Sequence, residues 1–224
     1  MINSLFESIR DDKQLYLNAR EGSEFEDRVV YYLKSTLGLT RILRRDVVAK
    51  DWAAISSQLA NKFGTEYLNL PNKKLRKTFI YQPRGKQEFP DIIVFSDKKV
   101  IPIEIKFSAN SQTKPMWNSN VPRANAFYIF GSYGLQDITF FCGDSIISPK
   151  HRERLYGFFD DIKKLEDEIR TKMPELDTTD RGFTPYIRAA FDQKKHKDTV
   201  VTNFFTHPKR IEAENLAIEK LKAL

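Results

Sequence analysis

The 224-residue chain has only one cysteine, Cys142, so it can form no internal disulfide bond. It has no apolar run that approaches the roughly 20 residues needed to cross a bilayer, and its first residues lack the basic-then-apolar pattern of a secretory signal. We therefore expect a soluble, cytoplasmic protein with no membrane partner. The sequence also lacks internal repeats, low-complexity tracts and long flexible linkers, which favours a single domain over residues 1–224.

Several motifs of common enzyme classes are also missing. The sequence contains no glycine-rich loop of the P-loop kind and no Gly-x-Ser-x-Gly turn. Its three histidines, His151, His196 and His207, have no metal-ligand spacing, which together with the single cysteine argues against a structural zinc ion. We expect no small-molecule cofactor beyond a divalent metal.

What the chain does have is a local excess of positive charge. Its net charge is +7, and hydrophobic residues make up 41% of it, which is typical of a folded protein. Residues 41–90 carry 11 basic and 4 acidic side chains, whereas residues 1–40, 91–150 and 151–224 have net charges of −2, +1 and +1. Because Lys and Arg bind polyanions by displacing counterions, this segment indicates either a nucleic-acid groove or an ordinary solvated basic face.

The apolar spacing predicts an α/β fold with a central mixed β-sheet flanked by helices. One helix follows Gly22, with Ser23 as its expected N-cap, Glu26 as the reciprocal capping partner and Gly38 as its stop. Further helices are predicted over 52–63, 151–172 and 212–224, and strands over 78–81, 91–95, 103–107, 126–130 and 138–142. Residues 174–206 predict no element, because proline and glycine interrupt every period.

One predicted hairpin carries two carboxylates and a lysine. Asp91 heads the first strand, residues 96–99 form the polar turn, and Ile-Glu-Ile-Lys-Phe follows at 103–107. Because successive side chains of a strand point to opposite faces, Glu104 and Lys106 share a face, and the hairpin can bring Asp91 beside them. The alternative is a surface hairpin in which Glu104 and Lys106 are a solvated pair.

These residue types suit phosphodiester hydrolysis. Mg²⁺ is usually held by one or two carboxylates and by substrate oxygens, so Asp91 and Glu104 are candidate ligands, and the carbonyl of Ile105 can add another. Lys106 would then lie close enough to orient or deprotonate an attacking water. The sequence leaves open whether one or two metal ions bind.

Pro90-Asp91, a spacer of 12 residues and Glu104-Ile105-Lys106 between hydrophobic residues resemble the signature of the PD-(D/E)xK nuclease superfamily, most closely the type II restriction endonucleases. A weaker similarity lies at residues 22–33, where Glu26 matches a glutamate that many members carry on an early helix. The resemblance implies a restriction-endonuclease-like sandwich, metal ligation by Asp91 and Glu104, and catalytic roles for Lys106 and Glu26. For Glu26, helix capping alone is the alternative.

The resemblance further implies a Mg²⁺-dependent, sequence-specific endonuclease that cuts double-stranded DNA in a prokaryotic cell. Two-fold symmetry of a palindromic site would suit a homodimer. Two other functions stay open: a DNA repair nuclease or junction resolvase of the same superfamily, and a non-catalytic basic module that binds nucleic acid.

Polar residues on both sides of the hairpin are candidate DNA contacts. Asn and Gln can bond adenine, Arg and Lys can bond guanine, and all four can bind phosphates. Ordinary polar loops are the alternative interpretation. The candidates are Arg84, Lys86 and Gln87 before the hairpin, and Asn110, Gln112, Lys114, Asn118, Asn120 and Arg123 after it.

Overall fold

The structure is a computed structural model that describes residues 2–118, 120–173, 184–194 and 200–224. Over these residues the chain forms an α/β fold in which helices flank a six-stranded mixed sheet, which confirms the predicted fold class. Of residues 174–206, for which no element is predicted, 174–183 and 195–199 lie outside the described ranges. None of the helices in the described ranges is long and apolar enough to cross a membrane.

Six α-helices and eight β-strands occur in the described part of the chain, and every predicted helix and strand is among them, with its ends shifted by a few residues at most. The helices are α1 (Asn3–Asp11), α2 (Gln14–Leu17), α3 (Gly22–Tyr31), α4 (Ala49–Ala60), α5 (Pro149–Lys172) and α6 (Arg210–Ala223). The strands are β1 (Thr40–Arg41), β2 (Thr78–Tyr81), β3 (Ile92–Phe95), β4 (Val100–Ser108), β5 (Trp117–Asn118), β6 (Phe127–Ser132), β7 (Asp137–Cys142) and β8 (Ala190–Phe191).

The start of α3 differs from the prediction. Ser23 lies inside the helix, the N-cap position is Glu21, and no side chain caps the helix there. Glu24 instead reaches back, and its Oε2 accepts a hydrogen bond of 2.7 Å from the backbone amide of Arg20. The helix continues into a π-helical turn and stops at Gly38, whose φ of 65° lies in the left-handed region that glycine adopts without strain.

The sheet order is β1-β2-β3-β4-β6-β7. Strands β2, β3 and β4 are antiparallel neighbours, and a tight turn closes the β3–β4 hairpin, where the Ser96 amide donates to the Lys99 carbonyl at 2.9 Å. Strand β6 pairs in parallel with β4. A parallel pair needs a connection of a dozen or more residues, and residues 109–126 supply it. Part of that long connection also forms one wall of the candidate site.

Both faces of the sheet are covered. Ile103 and Ile105 of β4 join the core built with α1, α3 and α6, to which Leu5, Phe25 and Ala217 contribute. The opposite face carries Tyr128 and Phe130 of β6, which belong to a second core with α4. The register pairs Glu104 with Tyr128 and Lys106 with Phe130, so these polar side chains leave β4 toward the second core. They lie where that core ends and a cleft begins.

Candidate active site

Asp91 lies immediately before β3, with its carboxylate against the middle of β4. Its Oδ2 accepts a hydrogen bond of 2.6 Å from the backbone amide of Ile105. Its own carbonyl accepts a bond of 2.6 Å from the amide of Gln82, so the end of β2 is tied to the same point. The hairpin therefore brings Asp91 next to the Glu104–Lys106 segment, as its spacing predicts.

Glu104 and Lys106 form an ion pair on one face of β4. Lys106 Nζ donates to Glu104 Oε1 at 2.7 Å, and the two side chains are 24% and 13% exposed respectively. Among the described residues, no hydrogen-bond partner meets the other oxygen, Glu104 Oε2, although it is buried. A buried carboxylate oxygen without a donor is costly, so this atom is suited to receive a cation. The pairing itself does not exclude the solvated-pair alternative, but the low exposure of Glu104 argues against it.

Glu26 reaches the same site from α3. Its Oε2 accepts a bond of 2.6 Å from the Tyr81 hydroxyl and a longer one of 3.4 Å from Gln82 Nε2. Glu26 forms these bonds instead of the predicted capping bond at the start of α3. Gln82 has a φ of 49°, which is strained for a residue with a Cβ and is typical of positions that a functional site over-determines. One strand end thus holds both Glu26 and the backbone of Asp91.

Packing of α3 on the sheet fixes the position of Glu26. The ring of Phe25 stacks on Phe107 of β4, with centroids 5.1 Å apart. It also covers Gly131 of β6, where an added Cβ would lie 2.7 Å from the tip of the Phe25 ring. A glycine in β6 is therefore required for α3 to approach this closely.

The neighbours of Asp91 change its pKa. Burial, and next the negative charge of Glu104, raise the pKa of Asp91 to about 7, and Glu26 contributes in the same direction. The Ile105 amide and Lys106 act in the opposite sense but do not compensate. Burial and the hydrogen bond to Glu26 also raise the pKa of Tyr81, which keeps its hydroxyl a donor. Without a cation, the site therefore disfavours the ionised form of Asp91.

A cleft of about 380 Å³ opens above these residues. Glu26, Asp91, Glu104, Ile105 and Lys106 all line it, so the predicted catalytic residues share one cavity. Four of the candidate DNA contacts line it as well, namely Lys86, Gln87, Asn118 and Asn120. The cleft thus combines acidic groups with polar side chains from the two flanking loops.

The other candidate DNA contacts lie elsewhere. Arg84 pairs with Glu88 at 3.0 Å on the surface near the cleft. Lys114 and Gln112 border a neighbouring depression, where Lys114 binds Asp192 at 3.1 Å and the carbonyl of Gln193. Asn110 is exposed at the end of β4. All of them remain candidates for contact with a longer substrate that extends past the cleft.

For Arg123, the structure corrects the predicted DNA contact. Arg123 is only 5% exposed, and its guanidinium donates to the carbonyl of Leu59 and lies 4.2 Å from the centroid of the Phe89 ring. The predicted DNA contact is wrong for this residue, because the protein encloses the side chain, its Nη1 and Nη2 donors face Leu59 and Asn120, and its Nε is buried. Its role is to tie the long connection to α4.

Several residues of the cleft wall were not predicted to lie there, Trp117 and Arg188 among them. Trp117 is buried, and its ring lies 5.9 Å from Lys106 Nζ and forms part of the cleft wall. Arg188 reaches the cleft because β8 pairs with β5 across the connection. Strands of two residues leave no sequence pattern, so no local signal could have placed Arg188 there.

The donor set fits a hard divalent cation held by few protein ligands. Among the described residues, no group of three or more His, Cys, Asp or Glu side chains is arranged as a metal cage. Mg²⁺ does not need one, since it keeps several waters and is bound by one or two carboxylates. Asp91, with its raised pKa, and the unpartnered Oε2 of Glu104 supply such a pair.

The chain matches no protein-family model, and searches of curated proteins and of solved structures return no significant match.

Proposed function

We propose that the protein is a Mg²⁺-dependent endonuclease that hydrolyses phosphodiester bonds in double-stranded DNA, of the type II restriction kind. The observation that carries the proposal is the convergence of Asp91, Glu104 and Lys106 on one cleft, with Glu104 Oε2 buried and no donor to it from the part of the chain that the structure describes. A surface hairpin would not need to bury a carboxylate in this way.

Each residue has a role in the proposed reaction. Asp91 and Glu104 would hold the metal, with the Ile105 carbonyl as a further candidate ligand, and a bound Mg²⁺ supplies positive charge beside the phosphate as negative charge accumulates on it. Lys106 Nζ donates to Glu104 Oε1 at 2.7 Å and so lies beside the proposed metal ligands, where it would orient the attacking water or, once it has given up a proton, accept one from that water. Glu26, fixed by Tyr81, would complete the acidic rim of the site.

The charge distribution supports a polyanionic substrate. The basic excess of residues 41–90 ends in the loop that carries Lys86, at the cleft, and Arg188 lines the cleft from a separate segment. Cations around an acidic metal site would bind the backbone phosphates on either side of the scissile bond. A homodimer would place one such cleft on each DNA strand of a two-fold site.

Plasmid and phage DNA incubated with Mg²⁺ test the proposal. The wild-type protein should give discrete fragments, and Asp91→Asn and Glu104→Gln should each lower the cleavage rate at least about 100-fold, because charge stabilisation by the metal is lost. Lys98→Ala, an exposed lysine in the β3–β4 turn, is the matched control and should cut normally. Uncut DNA together with unchanged behaviour of Glu104→Gln in every assay would disprove the proposal.

Lys106→Ala separates catalysis from binding. Cleavage should fall at least about 100-fold, while specific DNA binding measured in Ca²⁺ is retained, because the lysine acts on the water rather than on the DNA. Loss of both would make Lys106 structural. Preference for branched or damaged DNA over plasmid would favour a repair nuclease or junction resolvase, and salt-dependent binding without metal-dependent cleavage would favour a non-catalytic module.

A further inference from the structure

Helix α5 has a largely aliphatic stripe in which three side chains face solvent and two, Leu155 and Ile162, are half-buried. The helix has 24 residues, and apolar side chains recur along it in alternating steps of three and four, at Leu155, Phe158, Ile162, Leu165 and Ile169. This spacing keeps them on one narrow stripe and is the spacing of a helix–helix seam. Phe158, Leu165 and Ile169 are 60%, 59% and 48% exposed.

The stripe is not the face that attaches α5 to the protein. That face carries Arg152, Tyr156 and Glu166, each of which is buried. Arg152 Nε donates to the carbonyl of Pro122 at 2.7 Å, which anchors the helix to the long connection. A surface helix usually turns its apolar stripe inward, whereas here the inward face is polar and aromatic and the aliphatic stripe points outward. An aliphatic stripe in this position indicates contact with another helix.

We propose that the stripe is a homodimer interface in which α5 of one copy packs antiparallel on α5 of a second copy. A two-fold axis near Ile162 would bring this residue against its own counterpart. Phe158 would then pack against Leu165 of the second copy, and Leu155 against Ile169. Each apolar side chain of the seam thus meets an apolar side chain, as an isologous interface requires.

Charges beside the stripe select the antiparallel arrangement. Arg154 and Glu168 flank it on one side, and in this register the arginine of each copy faces the glutamate of the other, giving two ion pairs. Asp161, near the axis, meets its counterpart, but Lys164 Nζ lies 2.9 Å from its carboxylate and offsets the charge. A parallel pair would instead leave Arg154 of one copy and Glu168 of the other 14 residues apart along the seam, so neither ion pair could form.

The exposed apolar side chains would form the centre of the interface. Three exposed side chains of this size present on the order of 300 Å² of apolar surface, comparable with the largest patch on a typical monomer. Tyr186 and Ile187, which are 76% and 38% exposed, lie on a neighbouring segment that Arg170 binds, since its Nε donates to the Pro185 carbonyl at 3.1 Å. The roughly 800 Å² per partner of a specific interface would therefore have to include the polar side chains that flank the stripe.

This inference specifies the surface of the homodimer in the proposed function. Pro122, whose carbonyl anchors α5, adjoins Val121 of the cleft wall, so pairing through α5 would fix the two clefts relative to each other. Its test requires neither DNA nor Mg²⁺. A protein that dimerises through α5 but does not cut DNA would disprove only the nuclease, and a monomer that cuts DNA would disprove only the dimer.

Sedimentation equilibrium of the full chain measures the association. The wild type should be dimeric, and Leu165→Glu should raise the dissociation constant at least about 100-fold, because two leucines leave the seam and two charges enter it. Thr171→Glu adds the same charge to an exposed position on the opposite side of the same helix and should leave the constant unchanged. Circular dichroism of each variant at low concentration checks that the monomer is folded.

A charge exchange tests the register. Arg154→Glu and Glu168→Arg should each weaken the dimer roughly tenfold, and the double variant should restore it. A wild type that stays monomeric at about 100 μM would overturn the proposal, since a contact weaker than that falls short of a specific interface. So would a Leu165→Glu variant that still dimerises. Failure of the double variant to recover would rule out the antiparallel register.

Discussion

Asp91→Asn should stabilise the metal-free protein above neutral pH even though it removes a proposed metal ligand. Burial and the adjacent Glu104 raise the pKa of Asp91 to about 7, so at pH 8 the folded protein carries a charge that its surroundings disfavour. Asparagine keeps an oxygen that can accept the 2.6 Å bond from the Ile105 amide but has no charge. The substitution therefore removes the repulsion and preserves the hydrogen bond.

The magnitude follows from the shift in pKa. The pKa of Asp91 rises from 3.8 to about 7 on folding, and a difference of about 3 units corresponds to about 4 kcal/mol. Because the folded state binds the proton more tightly, the stabilising contribution of protonated Asp91 is complete below about pH 4 and is lost as pH rises to about 7. We therefore expect Asp91→Asn to gain about 2–4 kcal/mol at pH 8 and less than about 2 kcal/mol at pH 5, where most of the folded protein already carries Asp91 in its protonated form.

Denaturant unfolding in EDTA at pH 5 and pH 8 measures this difference. Asp97→Asn, in the exposed β3–β4 turn, is the control and should change stability by less than about 0.5 kcal/mol at both values. The reasoning is refuted if Asp91→Asn is no more stable than wild type at pH 8, or if its advantage does not grow with pH. Adding Mg²⁺ should then stabilise the wild type but not the variant, since only a protein that binds the ion gains from it.

Two further substitutions probe how Glu26 is held. Tyr81→Phe removes the 2.6 Å donor to Glu26 and should raise the Mg²⁺ concentration for half-maximal cleavage about tenfold; an unchanged titration would separate Glu26 from the metal. Gly131→Ala places a Cβ 2.7 Å from the Phe25 ring, so it should cost about 1–3 kcal/mol in denaturant unfolding and lower activity by displacing α3. Gly157→Ala, with nothing within 4 Å, should instead stabilise α5 by about 0.5–1 kcal/mol, and equal effects of the two alanines would contradict this account.

The hairpin could be predicted from sequence because its information is local. Alternation between residues 91 and 107 sets which side chains share a face, and the polar turn at 96–99 sets the register. The register then determines that Asp91 meets the Ile105 amide. The helix predicted after Gly22 likewise placed Glu26 near the site. The predicted N-cap of this helix was wrong, because the cap position depends on the backbone at Glu21 rather than on the residue type at Ser23.

Long-range packing explains what could not be predicted. Arg123 lies among polar residues and prolines, which favours an exposed loop, yet the carbonyl of Leu59 and the ring of Phe89 enclose it. Neither partner is close to it in sequence. Arg188 reaches the cleft only through the pairing of two very short strands. Helix α1 was not predicted, although the apolar spacing of its buried residues Leu5, Phe6 and Ile9 indicates a helix.

Without a cation, the negative charges at the centre of the site repel one another, and a bound metal ion would relieve that repulsion. Four carboxylates, of Glu26, Glu88, Asp91 and Glu104, line the cleft, and Lys106 is the lysine next to the central pair Asp91 and Glu104, so a phosphate entering the centre of the cleft would meet net negative charge. The cations at the same cleft, Lys86 and Arg188, come from its surrounding loops. A divalent ion between the carboxylates would cancel the central repulsion, and the loop cations would then attract the backbone. On the proposed function, metal binding and DNA binding should therefore be coupled through charge alone.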